Sequence, residues 1–310
     1  MKFAIVGAVS EDQIYLPEQT VPTRSPGGGV FFASLAASTI LQELQPSSSS
    51  DAAVTVVTVC PPEKEPLFAP LLTTSPPRLE VYTIAAPAAT SCVNRYVQHG
   101  RPDLRIQQMA ARAPPFEMET VWPLLPPDVG CILITALWHG EAPEDLVRGL
   151  HRVFPRARLA VDAQGFVREI GENGEIMPQD WSRKKEILPM LQYFKVDNKE
   201  LNLLVPDQSG AMEEQMRTLQ TWGNGVVVIG TANDGVHLMD EKGAVHFAPW
   251  DASMVTMEGR TGRGDTCTAA VLIAREQMPD WDWDRVASYA ATVTSKKMAR
   301  AGPYGYPFGQ

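Results

Sequence analysis

The chain has 310 residues, of which 44% are hydrophobic and 20% are charged, and its formal net charge is −9. These values predict one large globular unit and exclude a disordered or collagen-like chain. An acidic chain is repelled by a phosphate backbone, so we expect no nucleic-acid partner. No apolar run approaches the ~18 residues that span a bilayer, so we also expect no membrane partner.

The four cysteines are far apart in the sequence, at positions 60, 92, 131 and 267. None belongs to a CxxC pair, which argues against a disulfide framework and against a zinc ribbon. The amino-terminal apolar run is soon followed by Glu11 and Asp12, and we interpret it as a first strand rather than a signal peptide. Together these features predict a cytoplasmic protein of a reducing compartment.

Short runs rich in Val, Ile and Leu recur along the chain, with amphipathic stretches between them. Near-continuous apolar runs are typical of buried strands in a mostly parallel sheet that carries helices on both faces. The predicted strands cover residues 3–9, 54–59, 81–85, 131–137, 159–163, 193–196 and 226–230. The first predicted helix runs from Val30 to about Leu44. The pattern therefore predicts an α/β fold.

Two segments break this alternation of buried strands and helices. In residues 92–98 and 103–108, polar and apolar side chains alternate, and a turn containing Gly100 separates the two segments. This pattern predicts a half-exposed β-hairpin. A hairpin beside an α/β body is suited to act as a lid over a ligand. The alternative is an ordinary surface hairpin.

The segment TGRGD, residues 261–265, directly precedes an apolar helical pattern. Its glycines allow a tight turn and the close approach of a ligand, and the free N–H groups of the helix favour an anion. Asp265 then lies at the edge of the anion site, where it is placed to accept a proton from an attacking hydroxyl. One alternative is that Asp265 is only a helix N-cap. RGD is also an adhesion motif, and a dinucleotide fingerprint fails because Cys267 replaces its third glycine.

This segment resembles the second signature of the PfkB, or ribokinase-like, carbohydrate kinases, which is usually written DTxGAGD. Further segments are similar to family motifs and occur in the family's order. They are Gly7 with Asp12, the glycines 27–29, VDAQGFVR (161–168), KVDNKE (195–200) and TSKKMARAGP (294–303). VDAQGFVR is most similar to the inositol-kinase-like members. The resemblance covers nearly the whole chain.

The resemblance implies one ribokinase-like domain over residues 1–310, a three-layer α/β/α sandwich with a mostly parallel central sheet and a small β-lid. The lid is expected at about residues 10–20 and 88–110. The implied cofactors are ATP and Mg²⁺. The implied acceptor is a hydroxyl of a small sugar or polyol, such as myo-inositol. We expect a monomer or a homodimer.

The resemblance also implies roles for individual residues. Asp265 is the expected catalytic base, and the expected anion hole is Gly262, Arg263 and Gly264. The expected substrate-binding residues are Asp12, Gly27, Gly28, Asn94 and Arg168. The expected nucleotide-binding residues are Gly230, Asn233, Gly235 and Ala291, and the expected magnesium residues are Asp197 and Glu200.

Several of these assignments have a purely structural alternative. Asp12 and the glycines 27–29 are also typical of strand-end turns, and the phenylalanines 31–32 are typical of a helix core. Asp197 and Glu200 have the spacing of a capping box, in which each side chain bonds a backbone N–H of the helix start. Residues 230–235 have the pattern of a plain hairpin.

The chain departs from the family pattern at several positions. Gly259 and Arg260 replace the Asp-Thr that opens the second signature, and Arg263 replaces a small residue. Asp197 replaces the asparagine of the family's magnesium motif, K-x-N-x-x-E. These departures favour the alternative that the chain is a weakly active or inactive relative that senses a nucleotide or metabolite. A second alternative, which does not depend on these departures, is a nucleoside kinase. In the family the opening aspartate helps to hold potassium, so Gly259 predicts that potassium changes the rate little.

Overall fold

The structure is a computed structural model that describes residues 2–45, 54–73, 79–98, 105–206, 212–256 and 258–305. The strands in chain order are β1 (Lys2–Val6), β2 (Ser10–Tyr15), β3 (Thr23–Gly27), β4 (Val54–Cys60), β5 (Leu79–Ala85), β6 (Thr90–Tyr96), β7 (Arg105–Ala111), β8 (Val129–Ile134), β9 (Arg158–Asp162), β10 (Arg168–Ile170), β11 (Ile176–Pro178), β12 (Tyr193–Asp197), β13 (Val227–Thr231), β14 (Gly235–Met239) and β15 (Val245–Pro249). The helices are α1 (Gly29–Leu44), α2 (Ala69–Thr73), α3 (Met118–Val121), α4 (Glu144–Val153), α5 (Lys184–Ile187), α6 (Asn198–Leu204), α7 (Met212–Trp222), α8 (Arg263–Gln277) and α9 (Trp283–Met298). Within these ranges, no helix is both long and apolar enough to cross a lipid bilayer.

Nine strands form the central sheet, in the order β15-β14-β13-β12-β9-β8-β1-β4-β5. The strands from β13 to β5 pair in parallel, whereas β14 and β15 are added in antiparallel orientation at one edge. Every residue of β4, VTVVTVC, is buried, because a strand inside such a sheet is covered on both faces. The mostly parallel sheet predicted from the apolar runs is therefore confirmed.

Helices cover both faces of the central sheet. Successive side chains of a strand point to opposite faces, so each strand contributes to two separate cores. In β1, Phe3 and Ile5 pack in the core with α1, α8 and α9, whereas Ala4 and Val6 pack with α4, α6 and α7. The fold is thus a three-layer α/β/α sandwich, as expected.

A second sheet has four strands in the order β3-β2-β6-β7. β6 and β7 pair in antiparallel orientation, which confirms the predicted hairpin; its turn around Gly100 lies outside the described residues. β2 joins the hairpin by parallel pairing with β6, and β3 pairs antiparallel with β2. The expected lid segments contain β2, β6 and nearly all of β7. They omit β3, because its sequence, TRSPG, has no alternation of apolar side chains.

A short antiparallel hairpin of β10 and β11 contacts β7 of the second sheet. The Met109 N–H donates a 2.7 Å hydrogen bond to the carbonyl oxygen of Gly174, and Gln108 forms a bridge to Glu175. Gly174 has a φ of +80°, and a Cβ there would overlap the Met109 carbonyl oxygen. Glycine is therefore required where the two backbones touch.

Candidate active site

Several predicted site residues lie where strands of the central sheet end, at the point where the strand order changes direction between β1 and β8. β4 and β5 follow on one side of β1, and β8, β9 and β12 follow on the other. At such a switch point the loops diverge and leave a crevice for a ligand. Gly7 follows β1, Thr135 follows β8, and Asp162 and Asp197 are the last residues of β9 and β12.

The glycine loop forms the amino terminus of α8. Gly262 is the N-cap with a φ of +80°, and a Cβ there would overlap the ring of Phe32. Both the left-handed backbone and the adjacent ring require glycine. Phe32 is buried beneath the loop and is therefore a core residue. The N–H groups of Arg263 and Gly264 begin the helix and have no helical acceptor, so they are available to an anion.

Asp265 lies in the first turn of α8. The N-cap is Gly262 and Asp265 is the third residue of the helix, so the interpretation of Asp265 as an N-cap is wrong. Burial raises the pKa of the Asp265 carboxyl to about 6, and the negative charge of Asp162 adds to this effect, whereas Lys195 and Arg168 oppose it. At neutral pH the carboxylate is ionised and basic enough to accept a proton, which is what a general base requires.

A buried lysine joins the glycine loop to two carboxylates. Lys195 Nζ lies 3.2 Å from Asp162 Oδ1 and 3.4 Å from Glu200 Oε2. A Cβ on Gly264 would lie 3.2 Å from the same Nζ, so the ammonium touches the loop. Burial favours the neutral form of Lys195, but the surrounding carboxylates, Asp162 and Glu200 foremost, outweigh it and raise the pKa. Lys195 therefore stays protonated at neutral pH and lies between these carboxylates and the glycine loop.

Asp197 and Glu200 form a capping box at the start of α6, which confirms the structural alternative for this pair. Asp197 Oδ1 accepts hydrogen bonds from the N–H groups of Lys199 and Glu200, and Glu200 Oε2 accepts one from the Asp197 N–H at 2.7 Å. Glu200 Oε1 is buried and has no hydrogen-bond partner in the described part of the chain. Burial raises the pKa of this carboxyl to about 7.

This pair of carboxylates suits a metal site whose remaining ligands are water and phosphate oxygens. No group of three or more metal-ligating side chains occurs among the described residues. Mg²⁺ is commonly held by one or two carboxylates, with water and phosphate oxygens completing its shell. The unpartnered Oε1 of Glu200 and the neighbouring Asp197 meet that requirement. The capping role and an Mg²⁺ role are compatible, because the cap uses the other oxygen of Glu200.

The second sheet carries a polar cluster of its own. Asp12 Oδ1 accepts a 2.9 Å hydrogen bond from Ser10, and a Cβ on Gly27 would lie 2.8 Å from Asp12 Cγ. Burial raises the pKa of Asp12, although hydrogen bonds from Ser10 and Asn94 oppose it. Asn94 is buried, and its Oδ1 accepts a 2.8 Å hydrogen bond from Gln107 Nε2. The structure thus brings together Asp12, Gly27 and Asn94.

Gly28 and Arg168 also have expected substrate roles. Gly28 is the N-cap of α1 with a φ of +94°, and a Cβ there would lie 2.5 Å from the carbonyl oxygen of Ala8. Arg168 is half-buried, and its positive charge opposes the raised pKa of both Asp265 and Glu200. The guanidinium therefore lies within electrostatic reach of both carboxylates.

No sequence pattern predicted a role at the site for two buried residues that follow β8, Thr135 and Glu141. Thr135 Oγ1 is buried without a partner among the described residues, and a Cβ on Gly7 would lie 2.5 Å from it. Glu141 is buried and accepts hydrogen bonds of 2.9 Å from the N–H groups of Ala8 and Leu137, which ties the loops after β1 and β8 together. Neither residue stands in a motif, and an isolated Thr or Glu in a loop predicts nothing by itself.

The expected nucleotide residues Gly230 and Gly235 lie in the β13–β14 hairpin, so the hairpin alternative is confirmed. A Cβ on Gly230 would overlap Met212 and approach Met216, and a Cβ on Gly235 would overlap the carbonyl oxygen of Ala248. Close packing thus accounts for both glycines without a ligand.

Asn233 is exposed, whereas Ala291 is buried at the edge of a cleft. Asn233 Oδ1 accepts a 3.1 Å hydrogen bond from Arg260 Nη2. Ala291 lines an open cleft of about 270 Å³ together with Ala248 and Ser288. This volume is below the about 300–1,000 Å³ that is usual for sites that enclose a drug-sized ligand.

The glycine loop contains Arg263 and is preceded by Arg260. Arg263 is half-buried and has neither a salt bridge nor a side-chain hydrogen bond within the described residues. Burial lowers its pKa, and the positive charge of Arg260 adds to this effect. A guanidinium nevertheless stays charged at neutral pH. The negative charge of Asp197 opposes this lowering of the pKa, but no carboxylate in the described part of the chain forms an ion pair with Arg263. The guanidinium is therefore able to pair with an anionic ligand.

Solved kinase structures are similar to this chain over nearly its whole length, although no protein-family model and no curated protein sequence matches it. The sulfate complex of a pyrophosphate-dependent kinase in the ribokinase family is 31% identical, with a TM-score of 0.82 and 97% of each chain covered. A pyrophosphate-dependent kinase in the ribokinase family, complexed with a pyrophosphate analogue and myo-inositol, is 30% identical, with a TM-score of 0.82 and 97% of each chain covered. Ribokinase from Arabidopsis thaliana, complexed with ribose and ATP, is 14% identical, with a TM-score of 0.71 and coverage of 97% and 93%, and this match supports the fold alone.

Proposed function

Because this chain belongs to the ribokinase family of carbohydrate kinases, we propose that it phosphorylates a hydroxyl of a small polyol, with Asp265 as the general base. The observation that carries this proposal is the meeting of Asp265, Lys195 and the amino terminus of α8 at one point. A carboxylate with a pKa of about 6 lies there beside a permanent cation and free N–H groups. These are the parts that phosphoryl transfer needs.

The proposed step transfers one proton and one phosphoryl group. The acceptor hydroxyl gives its proton to Asp265 while its oxygen attacks the terminal phosphorus of the donor. A bond forms between that oxygen and phosphorus, and the bond from phosphorus to the bridging oxygen of the donor breaks. The leaving phosphate takes the bonding electron pair. The N–H groups of Arg263 and Gly264 and the ammonium of Lys195 stabilise the charge on the transferred group.

For the acceptor, we propose a cyclic polyol such as myo-inositol. The carboxylate of Asp12 is able to accept hydrogen bonds from two hydroxyls, and the amide of Asn94 offers donors and an acceptor beside it. Neighbouring hydroxyls on a ring match such a row of polar groups. The similar kinase that was solved with myo-inositol supports this choice.

For the donor, we propose inorganic pyrophosphate, with ATP as the second candidate. Pyrophosphate offers only phosphate oxygens to a binding site, which suits the guanidinium of Arg263, unpaired within the described residues, beside the positive charge of Arg260. Two similar kinases at 31% and 30% identity are pyrophosphate-dependent. The cleft beside Ala291 favours ATP, since an adenine ring has a place to lie there, although the cleft is small.

We propose that Asp197 and Glu200 hold Mg²⁺ through water and donor oxygens. Glu200 Oε1 is the atom left free by the capping box, and it is the one that the ion or its water would engage. When bound, the ion neutralises charge on the donor phosphates.

A metabolite panel tests the proposal. Polyols, sugars and nucleosides are incubated with Mg²⁺ and either pyrophosphate or ATP, and phosphomonoester formation is followed by phosphorus NMR. We expect a cyclic polyol to be phosphorylated by the wild type and by the exposed-site control Asp280→Asn, but not by Asp265→Asn. Turnover of a nucleoside alone would replace the polyol assignment. Binding of donor or polyol without any product would identify a sensor.

A further inference from the structure

The last turn of α9 places a lysine beneath the glycine loop. Lys297 is 1% exposed, and its Nζ donates a 2.6 Å hydrogen bond to the carbonyl oxygen of Gly259. The centre of the Phe32 ring lies 5.8 Å from the same Nζ, and that ring also packs against Gly262. One buried ammonium therefore contacts both the start of the loop segment and the ring that supports its N-cap.

A buried ammonium at this place is energetically costly. The Gly259 carbonyl is the one hydrogen-bond acceptor of Lys297 in the described part of the chain, and no carboxylate there forms a salt bridge with it. Burial lowers the pKa of Lys297 to about 8; the charge of Asp265 on α8 raises it, and Arg300, just beyond α9, lowers it further. A methionine would fill the same space without this penalty. The charge is therefore the feature of Lys297 that requires a function.

The same helix end ties down the backbone before the glycine loop. The Met298 carbonyl oxygen accepts hydrogen bonds from Thr256 N at 2.9 Å and Thr256 Oγ1 at 3.0 Å. The Gly259 N–H donates a 3.1 Å hydrogen bond to Thr256 Oγ1. A Cβ on Gly259 would overlap the Met298 carbonyl oxygen, so no side chain fits there without a shift. The carbonyl of Gly259 is thereby directed at Lys297.

We propose that the Lys297 ammonium is a built-in cation that positions the donor-binding loop in place of a dissolved monovalent ion. The inference rests on the proposed function, since it takes residues 262–264 as the donor site. The ammonium fixes the peptide of Gly259 and adds positive potential beneath the free N–H groups of α8. It acts through the loop and does not touch the donor, so Lys297 is a positioning residue.

The test uses a truncated lysine and a small amine that replaces its charge. Lys297→Ala removes the ammonium and leaves space for ethylammonium. We expect the KM for the donor to rise by about 10- to 100-fold, the effect of losing one charge-assisted hydrogen bond. Ethylammonium, at constant ionic strength against choline, should restore much of this loss, whereas the wild type should respond by less than about twofold to ethylammonium or potassium. The exposed Lys185→Ala variant is the matched control.

Binding without turnover keeps this inference separate from the proposed function. The affinity of each variant for pyrophosphate alone is measured by calorimetry, and Lys297→Arg, which retains the charge, is included in case Lys297→Ala is poorly folded. Weak pyrophosphate binding by folded Lys297→Ala, restored by ethylammonium or retained in Lys297→Arg, supports the inference even if no polyol is phosphorylated. Unchanged binding in Lys297→Ala would overturn it, as would about tenfold activation of the wild type by potassium.

Discussion

The carboxylate of Asp265 lies directly against the backbone of Gly29, where a Cβ would approach its Oδ1 to 2.8 Å. The same Cβ would lie 2.9 Å from the Cβ of Thr135. The amino termini of α1 and α8 therefore meet at this carboxylate, and their positive dipole ends both face it. Its position is set on three sides by α1, α8 and the loop after β8, so little rearrangement is needed before it accepts a proton.

The raised pKa of Asp265 predicts an acidic limb in the pH dependence of kcat. Below about pH 6 the carboxylate is protonated and is unable to act as a base, so the rate should fall as the pH falls through that value. The measurement is a pH–rate profile under saturating donor and acceptor. A rate that is constant from pH 5 to pH 8 would contradict the role of Asp265.

The lowered pKa of Lys297 predicts opposite effects on stability and donor binding. Between about pH 8 and pH 10.5 the unfolded chain binds more protons at this lysine than the folded chain does, so its contribution to stability rises with pH. Over that window we expect the wild type to gain up to about 1.4 kcal/mol per pH unit relative to Lys297→Met. The affinity for pyrophosphate should fall as the ammonium is lost. Urea titrations and calorimetry at both ends of the window check this; a parallel change of the two quantities would contradict it.

The unpaired guanidinium of Arg263 predicts a change in donor preference. Arg263→Ala should reduce kcat/KM with pyrophosphate by about 10- to 100-fold, the effect of losing a hydrogen bond to a charged group. The loss with ATP should be smaller, because contacts of the adenosine are unaffected. Steady-state kinetics with both donors check this, and the exposed Arg285→Ala variant is the control. An equal loss with both donors would remove the argument for pyrophosphate.

The second sheet should become protected from hydrogen exchange when substrate binds. Its buried Asn94 and the nearby Asp12 belong to strands that a bound polyol would bridge to the glycine loop. Closure excludes water from a reactive phosphate, so backbone protection in β2, β6 and β7 should increase with polyol and a non-reactive donor analogue. If the loop at residues 262–264 becomes protected while these strands do not, the lid role is wrong.

Local patterns in the sequence predicted the mostly parallel sheet with helices on both faces and the β6–β7 hairpin. Near-continuous apolar runs such as β4 predict buried parallel strands, and a glycine loop before an apolar helix predicts an anion site. β3 escaped prediction because its pairing with β2, and not its own side chains, makes it a strand. Gly230 has a local pattern typical of a ligand loop, but its lack of a side chain is explained by Met212, which comes from a separate helix.

The contacts that give some site residues their roles depend on distant partners. Lys297 lies in the segment 294–303, which resembles a family motif, but nothing in that segment indicates that its ammonium bonds a carbonyl 38 residues away. Thr135 is one polar residue after a buried strand, and its significance comes from Gly7 and Gly29 beside it. Such contacts are created by the fold, so a sequence pattern does not contain them.

The most direct test of the account is the product formed by Asp265→Asn. The substitution retains the shape of the side chain but removes the base, and loss of a general base typically costs about 10²–10⁴-fold in rate. We expect a thermal midpoint close to that of the wild type, unchanged pyrophosphate binding, and nearly complete loss of the polyol phosphomonoester in phosphorus NMR. Phosphomonoester formation by Asp265→Asn at the wild-type rate would contradict the central claim that Asp265 accepts the proton of the acceptor hydroxyl.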